Sequence, residues 1–244
     1  TPFINNDELN EKNGEAFEIA KLIPTNINFI EQADKTELVN GSVWRLAIHS
    51  EGAKSIALYY DHFDIPYGGE MFLYTPNQSQ ISGPHSYNHT HPSGVYATEF
   101  IYGDLIVVEY FQPSYQTIEP IIKIDNIAYA YKSFGGGSDV CQIDANCPEG
   151  DEWDDQKKAA CLIQIASGFG GVGLCSGSLI NNTANNCNPY VLSADHCFSG
   201  GNISASSLNQ CVFIFNYLTP ACASGSPSSD AITGCSLVSN SGGQ

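Results

Sequence analysis

Two apolar segments near the end of the chain, each closed by a cysteine, hold the residues with the most chemical promise. They are Leu174-Cys175-Ser176-Gly177-Ser178-Leu179-Ile180 and Tyr190-Val191-Leu192-Ser193-Ala194-Asp195-His196-Cys197, separated by a polar turn at Asn181-Asn182-Thr183-Ala184-Asn185-Asn186. Both read as strands, and paired as a hairpin they bring Cys175 and Cys197 together at its mouth. His196 is then held beside a closed loop, where its imidazole reaches solvent. Histidine changes charge near neutrality, so it can take a proton from a hydroxyl and later return it. That work needs a carboxylate on the second ring nitrogen and a nucleophile within hydrogen-bond reach. The bland alternative is a histidine satisfied by local hydrogen bonds. Asp230 is the only acid after His196, and its setting in Ser226-Pro227-Ser228-Ser229-Asp230-Ala231 reads as a solvated loop.

Other candidate chemistry is weaker. His85, His89 and His91 fall within seven residues and could supply nitrogen ligands, but no cysteine or acid lies in that loop. They read as solvated histidines, and no metal or cofactor is expected. The acids from Glu149 to Asp155 could form a calcium loop but fit a solvated face better. Glycine runs at 135–137 and 168–173 lack the GxxxxGK[ST] pattern of a phosphate loop. Asn40, Asn77, Asn88, Asn181 and Asn202 begin Asn-x-Ser/Thr sequons, a common chance motif that suits exposed loops.

Composition narrows the function classes. The 244 residues include only nine Lys and Arg against 26 acids, a net charge of -17, which argues against nucleic-acid binding and suits an exported protein. No apolar run reaches the ~18 residues of a membrane span. The chain opens without a basic and apolar leader, so a secretion signal is expected to have been removed already. All nine cysteines lie between Cys141 and Cys235. That density favours an oxidised, secreted or cell-surface domain, and the absence of CxxC pairs argues against zinc. An odd count leaves at least one thiol without a partner in the chain.

The cysteine-free part, residues 1–133, opens with a polar, acidic stretch. Its apolar patch from Phe17 to Ile30 is interrupted by Pro24 and is expected to be an irregular lead-in. Strands are expected at Val43–Ile48, Ser55–Tyr60, Met71–Tyr74, Val95–Phe100, Leu105–Tyr110, Ile121–Ile124 and Ile127–Tyr131. They are rich in Ile, Val, Tyr and Phe and punctuated by Gly and Pro, which implies a β-sandwich. Trp44, Tyr59, Phe63, Phe72 and Tyr74 are its expected core. Phe134-Gly135-Gly136-Gly137-Ser138-Asp139 has a linker's composition, which puts a domain boundary at 134–139. Residues 140–244 then carry strands at Ala159–Ala166, the hairpin, Cys211–Tyr217 and near Ile232–Leu237. The fold class is all-β.

The hairpin with Ser193-Ala194-Asp195-His196-Cys197 resembles the strand-loop-strand around the catalytic histidine of trypsin-like serine proteases. Together with Cys141, Cys147-Pro148-Glu149-Gly150 and Asn181-Asn182-Thr183-Ala184-Asn185, it is similar to the secreted bacterial lysyl endopeptidases. The resemblance implies a partial trypsin-like antiparallel β-barrel over 140–244, a peptide or protein substrate, and His196 as general base. It also implies the bridges Cys175–Cys197 and Cys147–Cys222, with Cys141 unpaired because its match in the family bonds far downstream. Cys161, Cys187, Cys211 and Cys235 depart from the family pattern, and bridges such as Cys161–Cys235 and Cys187–Cys211 would use them up. In the family an aspartate and then a serine in a Gly-Asp-Ser-Gly-like turn follow the histidine. Neither motif occurs between His196 and Gln244, so the chain is expected to be an inactive fragment of an endopeptidase. Residues 1–133 occupy the place of the family's pro-region, which would pack on the protease domain. Lys132 is then the expected processing site. Rival expectations are a non-catalytic adhesin or scaffold that keeps the fold, and a carbohydrate-binding sandwich joined to a disulfide domain.

Overall fold

The computed structural model describes residues 17–133, 143–199, 202–222, 224 and 228–240. The 134–139 linker and Cys141 lie outside the described residues. Before residue 133 the strands are β1 (Phe17–Asn28), β2 (Asp34–Leu38), β3 (Gly41–His49), β4 (Ser55–Asp64), β5 (Glu70–Tyr74) and β6 (Ile81–Ser86). They are followed by β7 (Tyr96–Ala97), β8 (Ile101–Tyr102), β9 (Leu105–Pro113) and β10 (Ile121–Ala130). After residue 142 come β11 (Ala160–Ala166), β12 (Gly171–Ile180), β13 (Tyr190–Ser193), β14 (Val212–Leu218) and β15 (Ser228–Thr233). The protein is all-β, as the short apolar runs punctuated by Gly and Pro imply.

Two sheets carry the fold. One has five strands in the order β2-β3-β9-β5-β6. The other has ten, in the order β15-β14-β11-β12-β1-β10-β4-β7, with β13 on β12 and β8 on β4. The period-two alternation of β9 turns Ile106, Val108 and Tyr110 inward, against Ile56, Leu58, Tyr60 and Phe63 of β4 and Ile122 and Ile124 of β10. Trp44 and Phe63 are buried as expected. Phe72 and Tyr74 are only half-buried, because Met71 and Leu73 take the inward positions of β5.

The expected lead-in is wrong. Residues from Phe17 form the twelve-residue strand β1, which sits in mid-sheet. Its first residues pair with β12, from Phe17↔Leu174 to Lys21↔Gly171. On its other edge Ala20 to Asn28 pair with β10, with a register shift between Pro24 and Ile27. Pro24 lies beyond the stretch paired with β12 and next to the shift, where a missing N–H leaves no ladder bond broken. The two expected strands at 121–124 and 127–131 are one strand, β10, kinked by register shifts around Ile124 against β4.

Strand β4 is buried on both faces, and its second face belongs to a different core. Ala57 and Tyr59 join Ile19, Ala20, Ala97, Phe100, Ala128 and Ala130 from before residue 133 with Ala166, Val172, Val212 and Ile214 from after residue 142. Small alanines on β1, β4 and β10 let the curled ten-stranded sheet close down on this cluster. Side chains complete the curl where strands do not pair. Thr233 Oγ1 donates to Ala97 O at 2.8 Å, and Gln164 Nε2 to Thr98 O at 3.0 Å. Gln210 Nε2 reaches both Tyr60 O at 3.0 Å and Tyr96 O at 3.1 Å. The opposite face of β11, β12 and β14 forms a third cluster that contains Cys161, Ile163, Ile165, Cys175, Cys197, Cys211 and Phe213.

Candidate active site

β12 and β13 form the hairpin, with Gly177↔Ser193, Ser178↔Leu192, Leu179↔Val191 and Ile180↔Tyr190 in antiparallel register. Ser193 Oγ donates to Ser176 O at 2.8 Å and ties the open end of the ladder. Gly177 is needed by space, since a Cβ there would lie 2.7 Å from Val191 Cγ1 and 2.9 Å from Ile163 Cδ1. The hairpin thus presses closely on β11. Its connecting turn is held by asparagine side chains, including Asn182 Nδ2 to Asn186 Oδ1 at 2.9 Å and Ala184 N–H to Asn182 Oδ1 at 2.9 Å.

Past β13 the chain turns sharply into the short helix His196–Ser199, with Cys197 N–H donating to Ala194 O at 3.1 Å and Phe198 N–H to Asp195 O at 2.9 Å. This turn drives Cys197 into the third cluster, where it is bonded to Cys175 (S–S 2.01 Å). His196 stays exposed on the outer side. One of its ring nitrogens lies within 4.8 Å of both sulfurs. The three could suggest a metal centre, but both sulfurs are spent in the disulfide and offer no thiolate. The imidazole is therefore held at the mouth of a cross-linked hairpin and open to solvent, a position suited to exchanging protons with a bound molecule. The neighbouring Asp195 has a buried Oδ1 without a hydrogen-bond partner. Asp230 is elsewhere: it sits opposite Phe215 in the β14–β15 ladder, and Asn216 Nδ2 donates to its Oδ2 at 2.6 Å.

The cysteines fall into two groups. Cys147 is bonded to Cys222 (S–S 1.95 Å), which fastens the segment before β11 to the loop after β14. Cys161, Cys187, Cys211 and Cys235 are free thiols. The expected Cys187–Cys211 bridge is not formed, because Cys187 is exposed beyond the Asn-rich turn while Cys211 is buried at the head of β14. Cys161–Cys235 is not formed either. Cys161 stands across from Phe215 on β11, whereas Cys235 packs at Leu208. Lys132 has its N–H on Ile19 O at 3.3 Å and its ammonium 4.2 Å above the Phe17 ring, so it is fastened to β1.

The histidine loop also departs from expectation, for His85 is buried. Its Nε2 meets Ser82 Oγ at 2.9 Å and its Nδ1 meets Tyr96 Oη at 2.9 Å, which leaves neither nitrogen for a metal. His89 Nδ1 accepts from Ser86 N–H at 3.0 Å, and His91 Nδ1 from Ser93 N–H at 3.1 Å. Burial, with a smaller contribution from His89, lowers the His85 pKa to about 3. The unfolded chain binds this proton near pH 6.5 and the folded chain does not, so stability is complete above that pH and lost as pH falls from about 6.5 towards 3. The loss approaches about 1.4 kcal/mol per pH unit from this group. Urea unfolding between pH 7 and 4 checks it, and His85→Gln should flatten the slope by close to one proton.

Sequence reasoning overlooked Gln164 and Gln210, whose amides join the two parts of the chain. The only signal for Gln164 was polarity at an inward position of β11, and Gln210, in the turn before β14, gave none. Residues 135–242 match the family model for the lysyl endopeptidase C-terminal domain. No solved structure matches the chain. The protein is thus lysyl endopeptidase-like over those residues, and the function this likeness suggests is protease-related.

Proposed function

We propose that the protein is a secreted, trypsin-like serine endopeptidase in which His196 is the general base. The observation that carries this reading is the exposed His196 imidazole beside the bonded Cys175 and Cys197 at the hairpin mouth. In the reaction His196 takes the proton of a serine hydroxyl as the oxygen attacks the substrate carbonyl. It then returns that proton to the departing amine. The serine and the aspartate that orients the imidazole belong to residues other than these 244, so this chain alone should not hydrolyse peptides. Two disulfides fit an exported protein. Residues 1–133 act as a pro-region that supports folding of a slow β-topology, and Lys132 is the processing site.

The test is to read the coding sequence beyond Gln244, produce the polypeptide in full, and expose it to an organophosphonate that labels activated serines. The expected result is one labelled serine encoded after Gln244, lost when the protein is unfolded. A full polypeptide that takes no label would overturn the endopeptidase reading and leave a scaffold that retains the hairpin without the chemistry.

A further inference from the structure

We propose that Cys211 and Cys235 are joined by a third disulfide in the mature protein. Both residues converge on one carbonyl: Cys211 N–H donates to Leu208 O at 3.2 Å and Cys235 N–H to the same oxygen at 3.0 Å. Cys235 Sγ also lies 3.5 Å from it. Gly234 N–H donates to Cys211 O at 2.8 Å, so the chain leaving β15 is fixed against the head of β14. Both thiols belong to the cluster that holds the Cys175–Cys197 bridge, Cys211 within it and Cys235 packed against it. Two backbone N–H groups held on one oxygen keep the two residues close, as a disulfide requires.

The environment assigns each thiol its part. Cys211 is completely buried, and its pKa is raised by the hydrogen bond to Cys235 and by burial. Cys235 is half-buried, and the same hydrogen bond lowers its pKa. Cys235 is therefore the thiolate that attacks an incoming disulfide, supplied by a thiol–disulfide oxidoreductase or by oxidised glutathione. One donor thiol leaves and a mixed disulfide forms on Cys235. Cys211 then gives up its proton and attacks the Cys235 sulfur, which expels the second donor thiol. Two protein thiols and one donor disulfide become one protein disulfide and two donor thiols. The new bridge would fix the end of β15 beneath the hairpin that carries His196. It does not depend on the protease reading, since it requires only an oxidant.

The test is peptide mapping of the full chain after refolding with a glutathione redox mixture, with free thiols blocked by alkylation in denaturant before digestion. The expected result is a linked peptide pair containing Cys211 and Cys235, beside the Cys147–Cys222 and Cys175–Cys197 pairs. Cys187 should be alkylated in full. In the Cys235→Ser variant Cys211 should become alkylated, while the other two pairs persist. Complete alkylation of Cys211 in the parent chain, or a linked pair joining either residue to Cys161 or Cys187, would overturn the proposal. Because the Cys187→Ser variant touches only an exposed thiol, it should give the parent's map, and a changed map would equally overturn it.

Discussion

Cleavage after Lys132 is expected to leave the two parts of the chain together, eluting as one species by size exclusion and separating only in denaturant. Residues 143–244 produced alone are expected to be unfolded or aggregated. The reason lies in the ten-stranded sheet. β1 pairs along β12, and the cluster under β4 is built from both parts. Val172 and Val212 are completely buried and Ile214 is 4% exposed, packed with Ile19, Tyr59 and Phe100. Burial of each such aliphatic side chain contributes about 1.5–3 kcal/mol, so uncovering a few of them removes a large share of the stability of an ordinary domain of this size. Gln164 would lose its bonds to Tyr59 and Thr98 and be left buried, or water would have to enter. Cutting after Lys132 therefore breaks the chain without parting its halves. Ile19→Ala gives a graded version of the test. It should destabilise by about 2–5 kcal/mol and lower the denaturant concentration at which the nicked halves part. If the halves separate in buffer and residues 143–244 keep a cooperative unfolding transition, the shared core is not holding them.

The same sheet explains how much was legible beforehand. Short apolar runs such as Leu105–Tyr110 and Ala159–Ala166 announce their strands, because β-branched and aromatic residues bounded by turn formers suit a buried pleated strand. The hairpin with His196 was equally plain, since two apolar runs with cysteines at matching ends have few ways to pair. β1 was not legible. Its apolar content is ordinary and Pro24 reads as a breaker, and only the position of that proline beyond the β12 pairing makes it harmless. Nor could local pattern reveal that Ala57, Ala128 and Ala130 face a second core, because small residues carry almost no periodic signal. Cysteine pairing failed for a related reason. The bridge at the hairpin mouth is short-range and set by register, whereas Cys211 and Cys235 are brought together by the β14–β15 ladder and by Leu208.

Replacing His196 with alanine is expected to abolish peptide hydrolysis by the full-length polypeptide, by a factor of about 10⁴ or more, and to slow organophosphonate labelling in parallel. The fold should not notice. His196 is exposed and forms no part of the three clusters, so its loss should change stability by less than about 0.5 kcal/mol. The double variant Cys175→Ser, Cys197→Ser gives the complementary pattern. It opens a bridge between residues 22 apart, worth about 3 kcal/mol in the chain-entropy model, and releases the turn that carries the imidazole. Activity and thermal midpoint should therefore fall together, with the midpoint recovering more than the activity when stabilising osmolyte is added. The two variants separate chemistry from positioning. A His196→Ala protein that still cleaves peptides at the parent rate would remove the imidazole from the reaction, whatever the labelled serine reveals. A double variant with full activity would mean that β12, β13 and the Ser193–Ser176 hydrogen bond hold the ring without help from the sulfur bridge.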